Sequence, residues 1–86
     1  SSGVVLAGRY LPVSRVGLDI LAAMAEAQGG TVSREELQGA QPRSVSNPHA
    51  VEVAVARLRE SLGVPELIKT VVKRGYRLDV VEDDGP

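Results

Sequence analysis

Four cationic side chains lie within nine residues near the carboxyl end of the chain: Lys69, Lys73, Arg74 and Arg77. Ammonium and guanidinium groups pair with phosphate oxygens, so this cluster is typical of a surface that binds a polyanion. A structural explanation is also open, because charged side chains on an edge strand prevent aggregation. Polyanion binding is favoured for Lys73 and Arg74, which occupy a predicted turn, and the two explanations are about equal for the other two.

Catalysis has few candidate residues in this sequence. The chain has no Cys and a single His, which excludes disulfides, thiolate zinc sites, Cys nucleophiles and a His-rich metal cage. Ser33 and His49 are the only plausible nucleophile and base, and nothing in the order of elements brings them together. No glycine-rich phosphate loop ending in Lys-Ser/Thr is present. The sequence therefore predicts a non-enzymatic domain without a metal or a cofactor.

Length and composition limit the architecture. The chain has 86 residues, of which 43% are apolar and only two are aromatic, so one small core of Val, Leu, Ile and Ala is expected. Its longest apolar run is far shorter than the ~20 residues of a membrane helix, so we expect a cytoplasmic domain with no membrane partner. We expect residues 1–3 to be a remnant of expression, residues 4–81 to form the domain and residues 82–86 to form an acidic tail.

Charge is distributed unevenly along the chain. The formal net charge is −1, which by itself argues against an anionic partner. Residues 43–78, however, carry seven Lys and Arg against three Glu, whereas residues 79–86 carry four Asp and Glu and no cation. A moderately basic half is thus offset by an acidic end, and charge alone leaves an anionic partner and an ordinary solvated surface about equally open.

The first half of the chain predicts two short strands and a helix. Residues 4–6 and 10–13 are β-like and are separated by a turn at Gly8. Ser14 is a good N-cap for a helix over residues 15–28. The apolar positions that predict its buried stripe are Leu18, Leu21, Ala22 and Ala25, with Ile20 and Met24 widening it.

A second, short helix is predicted by a capping box. Ser33 and Glu36 stand three residues apart, so the hydroxyl of the first and the carboxylate of the second each accept a backbone N–H of the other residue. This helix is expected to end near Gly39. A polar loop over residues 40–47 follows, and Asn47-Pro48 then predicts the start of a third helix.

The last part of the chain predicts an amphipathic helix and a hairpin. The third helix ends at Gly63, and its predicted buried stripe comprises Val51, Val55, Leu58 and Leu62. Residues 67–72 and 76–81 are predicted strands joined by a turn that contains Gly75. Two strands, three helices and a closing hairpin, in this order, indicate an α+β winged helix-turn-helix with a three-helix core and a C-terminal β-hairpin wing.

Four sequence blocks also carry a resemblance to a known family. The chain resembles the OmpR/PhoB-type winged-helix effector domains over about residues 5–80. The blocks are Ser14…Leu18-Asp19-Ile20-Leu21, Gly30-Thr31-Val32-Ser33-Arg34-Glu35-Glu36-Leu37, Val51-Glu52-Val53-Ala54-Val55-Ala56-Arg57-Leu58-Arg59 and Ile68-Lys69-Thr70-Val71…Gly75-Tyr76-Arg77-Leu78. The wing segment also resembles C-terminal modules attached to uroporphyrinogen-III-synthase-like domains in actinobacteria.

The resemblance implies a function that the residue patterns do not establish by themselves. Members of the family commonly act as bacterial transcription factors, with a recognition helix in the DNA major groove, a wing near the minor groove and a receiver domain ahead of them. By this resemblance the partner is double-stranded DNA. RNA polymerase and an attached N-terminal regulatory or catalytic domain are further partners that it suggests.

The third helix is sparsely equipped to read base edges. Opposite its apolar stripe lie His49, Val53, Ala56 and Glu60, flanked by Glu52 and Arg57. Arg57 is the one donor suited to a purine edge, whereas Val53 and Ala56 are suited to a thymine methyl group. The family usually has basic residues at the positions of Ala56 and Glu60, so weaker affinity and weaker sequence readout are expected.

Several other residues are candidate DNA contacts with an open structural alternative. A surface role is favoured over a phosphate contact for His49, and Arg57 pairs with either DNA or a neighbouring glutamate. Arg59 borders the buried stripe, where a structural role, such as pairing with a carboxylate, is at least as plausible as DNA contact. The remaining candidates are Thr70 for phosphate oxygens, Arg34 beside the capping box and Arg43 in the 40–47 loop.

These expectations define two alternative functions. The first is a DNA-binding module of a transcriptional regulator, with affinity that depends steeply on salt. The second is a module that keeps the winged-helix fold for protein contact or for control of an attached domain. The acidic tail and the sparse face of the third helix motivate the second alternative.

Overall fold

The computed structural model describes residues 3–40 and 49–79, and these form three helices and two strand hairpins. In chain order the elements are β1 (Gly3–Leu6), β2 (Arg9–Pro12), α1 (Arg15–Glu26), α2 (Arg34–Gly39), α3 (His49–Leu62), a 3₁₀ turn (Pro65–Leu67), β3 (Ile68–Val71) and β4 (Gly75–Leu78). This order confirms the predicted α+β winged-helix architecture. The β3–β4 hairpin is the wing.

The N-terminal hairpin turns where the sequence predicts. Strands β1 and β2 pair antiparallel, and the two residues between them, Ala7 and Gly8, have φ of 52° and 78°. Two successive residues with positive φ match the right-handed twist of the flanking strands. Val5 and Tyr10 face each other across the pair and are 71% and 55% exposed.

Helix α1 begins as predicted and buries part of the predicted stripe: Ile20 and Met24 are buried, and Leu18 and Leu21 are partly buried against the core. The Ser14 hydroxyl accepts the Gly17 N–H at 3.1 Å, which confirms the N-cap. The helix ends at Glu26, two residues early, because Gln28 already has φ of 51°. Its buried positions are Gly17, Ile20 and Met24. The predicted Ala22 and Ala25 are exposed: the bulky Ile and Met side chains fill the core, and the small alanines on the opposite side face solvent.

Helix α2 confirms the capping box. The Ser33 hydroxyl accepts the Glu36 N–H at 3.1 Å, and the Ser33 N–H donates to the Glu36 carboxylate at 3.2 Å. Leu37 attaches this short helix to the core. The predicted loop after Ala40, the predicted helix start at Asn47-Pro48, the last two predicted strand residues and the acidic tail lie outside the described residues.

Helix α3 buries the predicted stripe of Val51, Val55, Leu58 and Leu62. Gly63 ends it with φ of 72°, and its N–H donates to the Arg59 carbonyl at 3.1 Å. The other buried apolar side chains of the core are Val13, Ile20, Met24, Val32, Leu37, Ile68, Tyr76 and Leu78. No helix in the described segments has the length and apolar character needed to cross a membrane.

The wing is fixed to the segment between α1 and α2. Val32 and Tyr76 exchange two backbone hydrogen bonds, of 2.8 and 2.9 Å. Val32 therefore forms an antiparallel bridge to the outer edge of β4. Gly75, with φ of 145°, lies against this edge, where a Cβ atom would be 2.8 Å from Ser33 Cα and nearer still to the Val32 carbonyl.

The hairpin turn of the wing differs from the prediction in two ways. The turn residue with left-handed backbone is Lys73, with φ of 64°, whereas Gly75 already pairs with Val71 in the ladder. Strand β3 begins one residue later than expected because Leu67 closes the 3₁₀ turn. The Gly at position 75 is therefore required by close packing on Val32 and not by the turn.

Candidate nucleic-acid interface

The exposed face of α3 comprises His49, Val53, Ala56 and Glu60, as the sequence predicts. Val53 is 38% exposed, and the other three side chains also face solvent. The exposed face of α3 therefore carries mostly small side chains, with one carboxylate, that of Glu60, at its C-terminal end. Such a surface approaches a groove closely but offers few hydrogen-bond donors for base edges.

Glu52 forms an ion pair with Arg34 and a close polar contact with His49 at the N-terminal end of this face. One carboxylate oxygen lies 3.4 Å from Arg34 Nε on α2, and the other lies 3.4 Å from His49 Nδ1. Two predicted DNA-contacting side chains, Arg34 and His49, are thus next to the same carboxylate. The sequence analysis considered Glu52 as a flanking residue and as a partner for Arg57, although its i,i+3 spacing from His49 is a recognisable pairing signal.

Arg59 connects α3 to the wing. Its guanidinium donates two hydrogen bonds to the Ile68 carbonyl, at 3.2 and 2.8 Å, and one to the Thr70 hydroxyl at 2.9 Å. The same group lies over the Tyr76 ring, 5.8 Å from its centroid. The structural role considered for Arg59 is confirmed. The carboxylate suggested as its partner is wrong: the main partner is a backbone carbonyl, which lies within reach at the start of β3.

Arg57 has a different environment from Arg59, two residues away. It is exposed and takes part in none of the ion pairs found among the described residues, so the suggested pairing with Glu52 or Glu60 is not formed. At 3.6 residues per turn the two arginines point about 160° apart around the helix. Arg57 therefore borders the exposed face of α3 on the side opposite to the wing.

The wing tip, residues 72–74, is exposed throughout. Val72 is 77% exposed, and Lys73 and Arg74 make no ion pair within the described ranges. The Arg74 backbone N–H donates to the Val71 carbonyl at 2.9 Å, which closes the turn. The tip is thus a hydrogen-bonded turn that carries two solvated cations beside one apolar side chain.

The wing base, formed by Lys69, Thr70 and Arg77, has a different charge balance. Lys69 Nζ and Arg77 Nη2 lie 3.9 and 3.7 Å from the Asp79 carboxylate. Lys69 and Arg77 are directly opposite each other in the strand register, a like-charge placement that is unfavourable without a nearby anion. The opposed cations in this register are the signal from which an ion pair with Asp79 could have been predicted. The sequence analysis counted Asp79 only as part of the acidic end.

The other predicted site residues are only partly placed by the structure. Thr70 is exposed, but its hydroxyl oxygen accepts from Arg59. Arg43 lies outside the described residues. Within residues 3–40 and 49–79, no group of three or more His, Asp and Glu side chains is arranged to hold a metal ion.

A three-helix core with a strand hairpin fixed beside its last helix defines a winged-helix module. The chain belongs to the family described as "Transcriptional regulatory protein, C terminal", whose sequence model matches residues 8–78. This confirms the resemblance to OmpR/PhoB-type effector domains. No curated protein matches the chain.

Solved structures with the same fold include domains bound to DNA. The DNA-binding domain of the response regulator AdeR, in complex with an intercistronic region, has a TM-score of 0.81 and 25% identity over 90% of this chain and 84% of that chain. The Klebsiella pneumoniae RstA DNA-binding domain, in complex with the RstA box, gives 0.77 and 28% over 88% and 81%.

A third solved structure is more similar in sequence. The DNA-binding domain of E. coli CadC has a TM-score of 0.75 and 36% identity over 87% of this chain and 76% of that chain. The likeness to modules fused to uroporphyrinogen-III-synthase-like domains stays a prediction.

Proposed function

We propose that this domain binds double-stranded DNA as the effector module of a bacterial transcriptional regulator, with no catalytic activity of its own. Family membership and the likeness to the AdeR and RstA domains, both solved with DNA, support the proposal. Because bacterial chromosomal DNA lies in the cytoplasm, the proposal includes a cytoplasmic location. In this function α3 enters the major groove, and the wing lies on the neighbouring backbone or minor groove.

The observation that carries the proposal is the placement of solvated cations on both sides of the exposed face of α3. Arg57 borders this face on one side, and the wing, with Lys73 and Arg74 at its tip, is fixed to α3 on the other side by Arg59. The B-DNA major groove is about 12 Å wide and admits one helix, with a phosphate backbone on each side. Cations on both flanks of α3 suit that arrangement.

The side chains divide into two roles in this proposal. Lys73 and Arg74 neutralise phosphates and fix the position of the domain, which adds affinity but no sequence information. Arg57 donates to a guanine edge or to the backbone, and Val53 and Ala56 contact thymine methyl groups. Because a single strong donor, Arg57, borders the face, we expect modest sequence discrimination and affinity dominated by phosphate contacts.

One observation favours a second function. The exposed face of α3 carries Val53, Ala56 and Glu60 but no Lys or Arg of its own, which suits a protein surface as well as a DNA groove. In this alternative the domain binds an attached N-terminal domain or RNA polymerase. Binding to such a partner would depend on the apolar residues of α3 and little on the wing tip.

Duplex binding at two salt concentrations tests the proposal. We expect the wild-type domain to bind a mixed-sequence duplex, with log K falling by about 0.9 per phosphate contact for each unit of log salt. Arg57→Ala and Lys73→Ala/Arg74→Ala should each weaken binding, and Arg9→Ala, which changes an exposed cation on the N-terminal hairpin, is the matched control. Equal affinities for all four proteins would reject the assignment of these sites.

A further inference from the structure

The Glu52 carboxylate joins two helices through side chains that are otherwise suited to hold an anion. Its two oxygens each lie 3.4 Å from a different cationic or ionisable group, Arg34 Nε on α2 and His49 Nδ1 on α3. All three side chains are 42–70% exposed, so the arrangement lies at the surface and not in the core. It occupies the first turn of α3, next to the exposed face of that helix.

We infer that Glu52 is an intramolecular substitute for a DNA phosphate, which occupies Arg34 and His49 and competes for them with the phosphates of a bound duplex. This inference rests on the proposed function. Carboxylate and phosphate oxygens accept hydrogen bonds from the same donors in similar geometry. The first turn of a helix is also the position at which an anion is most stabilised by the backbone N–H groups and the helix dipole.

The strength of these ion pairs makes such an exchange possible. Exposed ion pairs contribute little net free energy, typically below about 1 kcal/mol, because solvent already stabilises the separated charges. A phosphate that replaces the carboxylate therefore has a small interaction to overcome. The displaced carboxylate then stays near the DNA backbone and repels it, which lowers affinity unless another group takes up the charge.

Two consequences follow for DNA binding. The wild-type domain uses fewer cations at the duplex than its sequence contains, because Arg34 and His49 are already occupied. Its affinity also depends on salt less steeply than a count of exposed cations suggests, since each additional phosphate contact steepens the slope by about 0.9. Glu52 thus limits non-specific binding and makes duplex binding more dependent on the contacts of α3 and the wing tip.

The test compares Glu52→Gln with Glu60→Gln. Both changes remove one negative charge from an exposed position on α3, but Glu60 takes part in no ion pair among the described residues. We expect Glu60→Gln to tighten duplex binding about twofold through reduced general repulsion. Glu52→Gln should tighten it about tenfold and steepen the salt slope by about 0.9 for each released group that contacts a phosphate, because Arg34 and His49 become available to phosphates.

A second comparison isolates the partner. In an Arg34→Gln background the additional gain from Glu52→Gln over Glu60→Gln should fall to about half on a logarithmic scale, because one of the two released groups is gone. In the DNA-free domain, the Arg34 Nε–H resonance should shift in Glu52→Gln and stay in place in Glu60→Gln. Thermal unfolding of each variant verifies that the fold is retained.

The outcomes separate this inference from the proposed function. A wild-type domain that binds no duplex rejects the proposed function and this inference with it. A domain that binds DNA, but for which Glu52→Gln and Glu60→Gln give the same affinity and salt slope, rejects only the role of Glu52. If the Arg34 Nε–H resonance does not shift in Glu52→Gln, the role of Glu52 is also rejected, whatever the affinities are.

Discussion

The tip and the base of the wing carry two cations each, yet the two pairs differ in how much charge they offer to a partner. At the base, Lys69 and Arg77 face each other across the strands and share the carboxylate of Asp79. At the tip, Lys73 and Arg74 extend from a turn that contains no acidic residue. Two cations directly opposite each other on paired strands repel unless an anion lies beside them, whereas the exposed cations of a turn are stabilised by solvent.

Helix α3 shows the same contrast between two arginines. Arg59 is committed to the Ile68 carbonyl, the Thr70 hydroxyl and the Tyr76 ring, whereas Arg57 makes none of the ion pairs in the described part of the chain. Arg59 fixes the angle between α3 and the wing. Arg57 is exposed, and it is the arginine that we propose for contact with DNA. The number of Lys and Arg residues therefore overstates the binding surface, and the environment of each one decides its role.

The largest expected effect concerns the attachment of the wing. Gly75→Ala places a Cβ against the Val32 carbonyl and Ser33 Cα, at a φ that disfavours side chains, so the free energy of unfolding should fall by about 3 kcal/mol. Gly63→Ala is the control, because its φ is also positive but the space around it is open; it should cost about 1 kcal/mol. Urea denaturation measures both, and equal losses would contradict the close packing of Gly75.

The two arginines of α3 should differ in what their loss affects. Arg59→Met keeps the aliphatic stem but removes the donors to the Ile68 carbonyl, so the free energy of unfolding should fall by about 2 kcal/mol. Arg57→Met should change it by less than about 0.5 kcal/mol while weakening duplex binding. Denaturation and binding measured on both variants test this separation. A larger stability loss for Arg57→Met would reverse the roles assigned to the two residues.

The tip and the base of the wing should differ in their contribution to DNA affinity. Lys73→Ala/Arg74→Ala removes two solvated cations, so we expect at least about tenfold weaker binding and a salt slope shallower by about two units. Lys69→Ala/Arg77→Ala removes two cations whose charge is partly offset by Asp79, and should weaken binding about threefold or less. Fluorescence anisotropy over a range of salt concentrations gives both numbers. A base variant that loses more than the tip variant would refute the comparison.

The smallest expected effect comes from the anion at the base. Asp79→Asn leaves Lys69 and Arg77 without their carboxylate, so duplex binding should tighten about twofold to threefold. The gain should be smaller in the Lys69→Ala/Arg77→Ala background, where no cation remains to be released and only the general repulsion of DNA by Asp79 is relieved. A gain of the same size in that background would mean that Asp79 acts only through the overall charge of the domain.

Much of the architecture was predictable because local rules and tertiary packing agree. The capping box at Ser33 and Glu36, the N-cap at Ser14 and the stripe from Val51 to Leu62 are each fixed by neighbours in the sequence. In the stripe of α1 the predictions for Ala22 and Ala25 were wrong, because apolar character alone does not distinguish Ala22 from Met24, whereas a close-packed core needs side-chain volume. Side-chain size, and not polarity alone, decides which face is buried.

The charge environment was less predictable because it depends on contacts between separate elements. The Glu52–Arg34 pair joins α2 to α3 across a segment that sequence patterns do not position. The Arg59–Ile68 contact needs the wing to fold back on α3, and the role of Gly75 depends on the edge at Val32. Spacing rules describe one helix or one hairpin at a time, so they identify the cations but not their partners.

Titration of the ¹⁵N-labelled domain with a short duplex tests most directly whether α3 and the wing tip form one DNA-binding surface. The measured quantities are the changes in amide chemical shift. We expect the largest shifts at residues 53–57 of α3 and at residues 72–74 together, with the amides of Val5 and Tyr10 on the N-terminal hairpin unchanged. Large shifts on the N-terminal hairpin, with α3 and the wing tip unaffected, would contradict it.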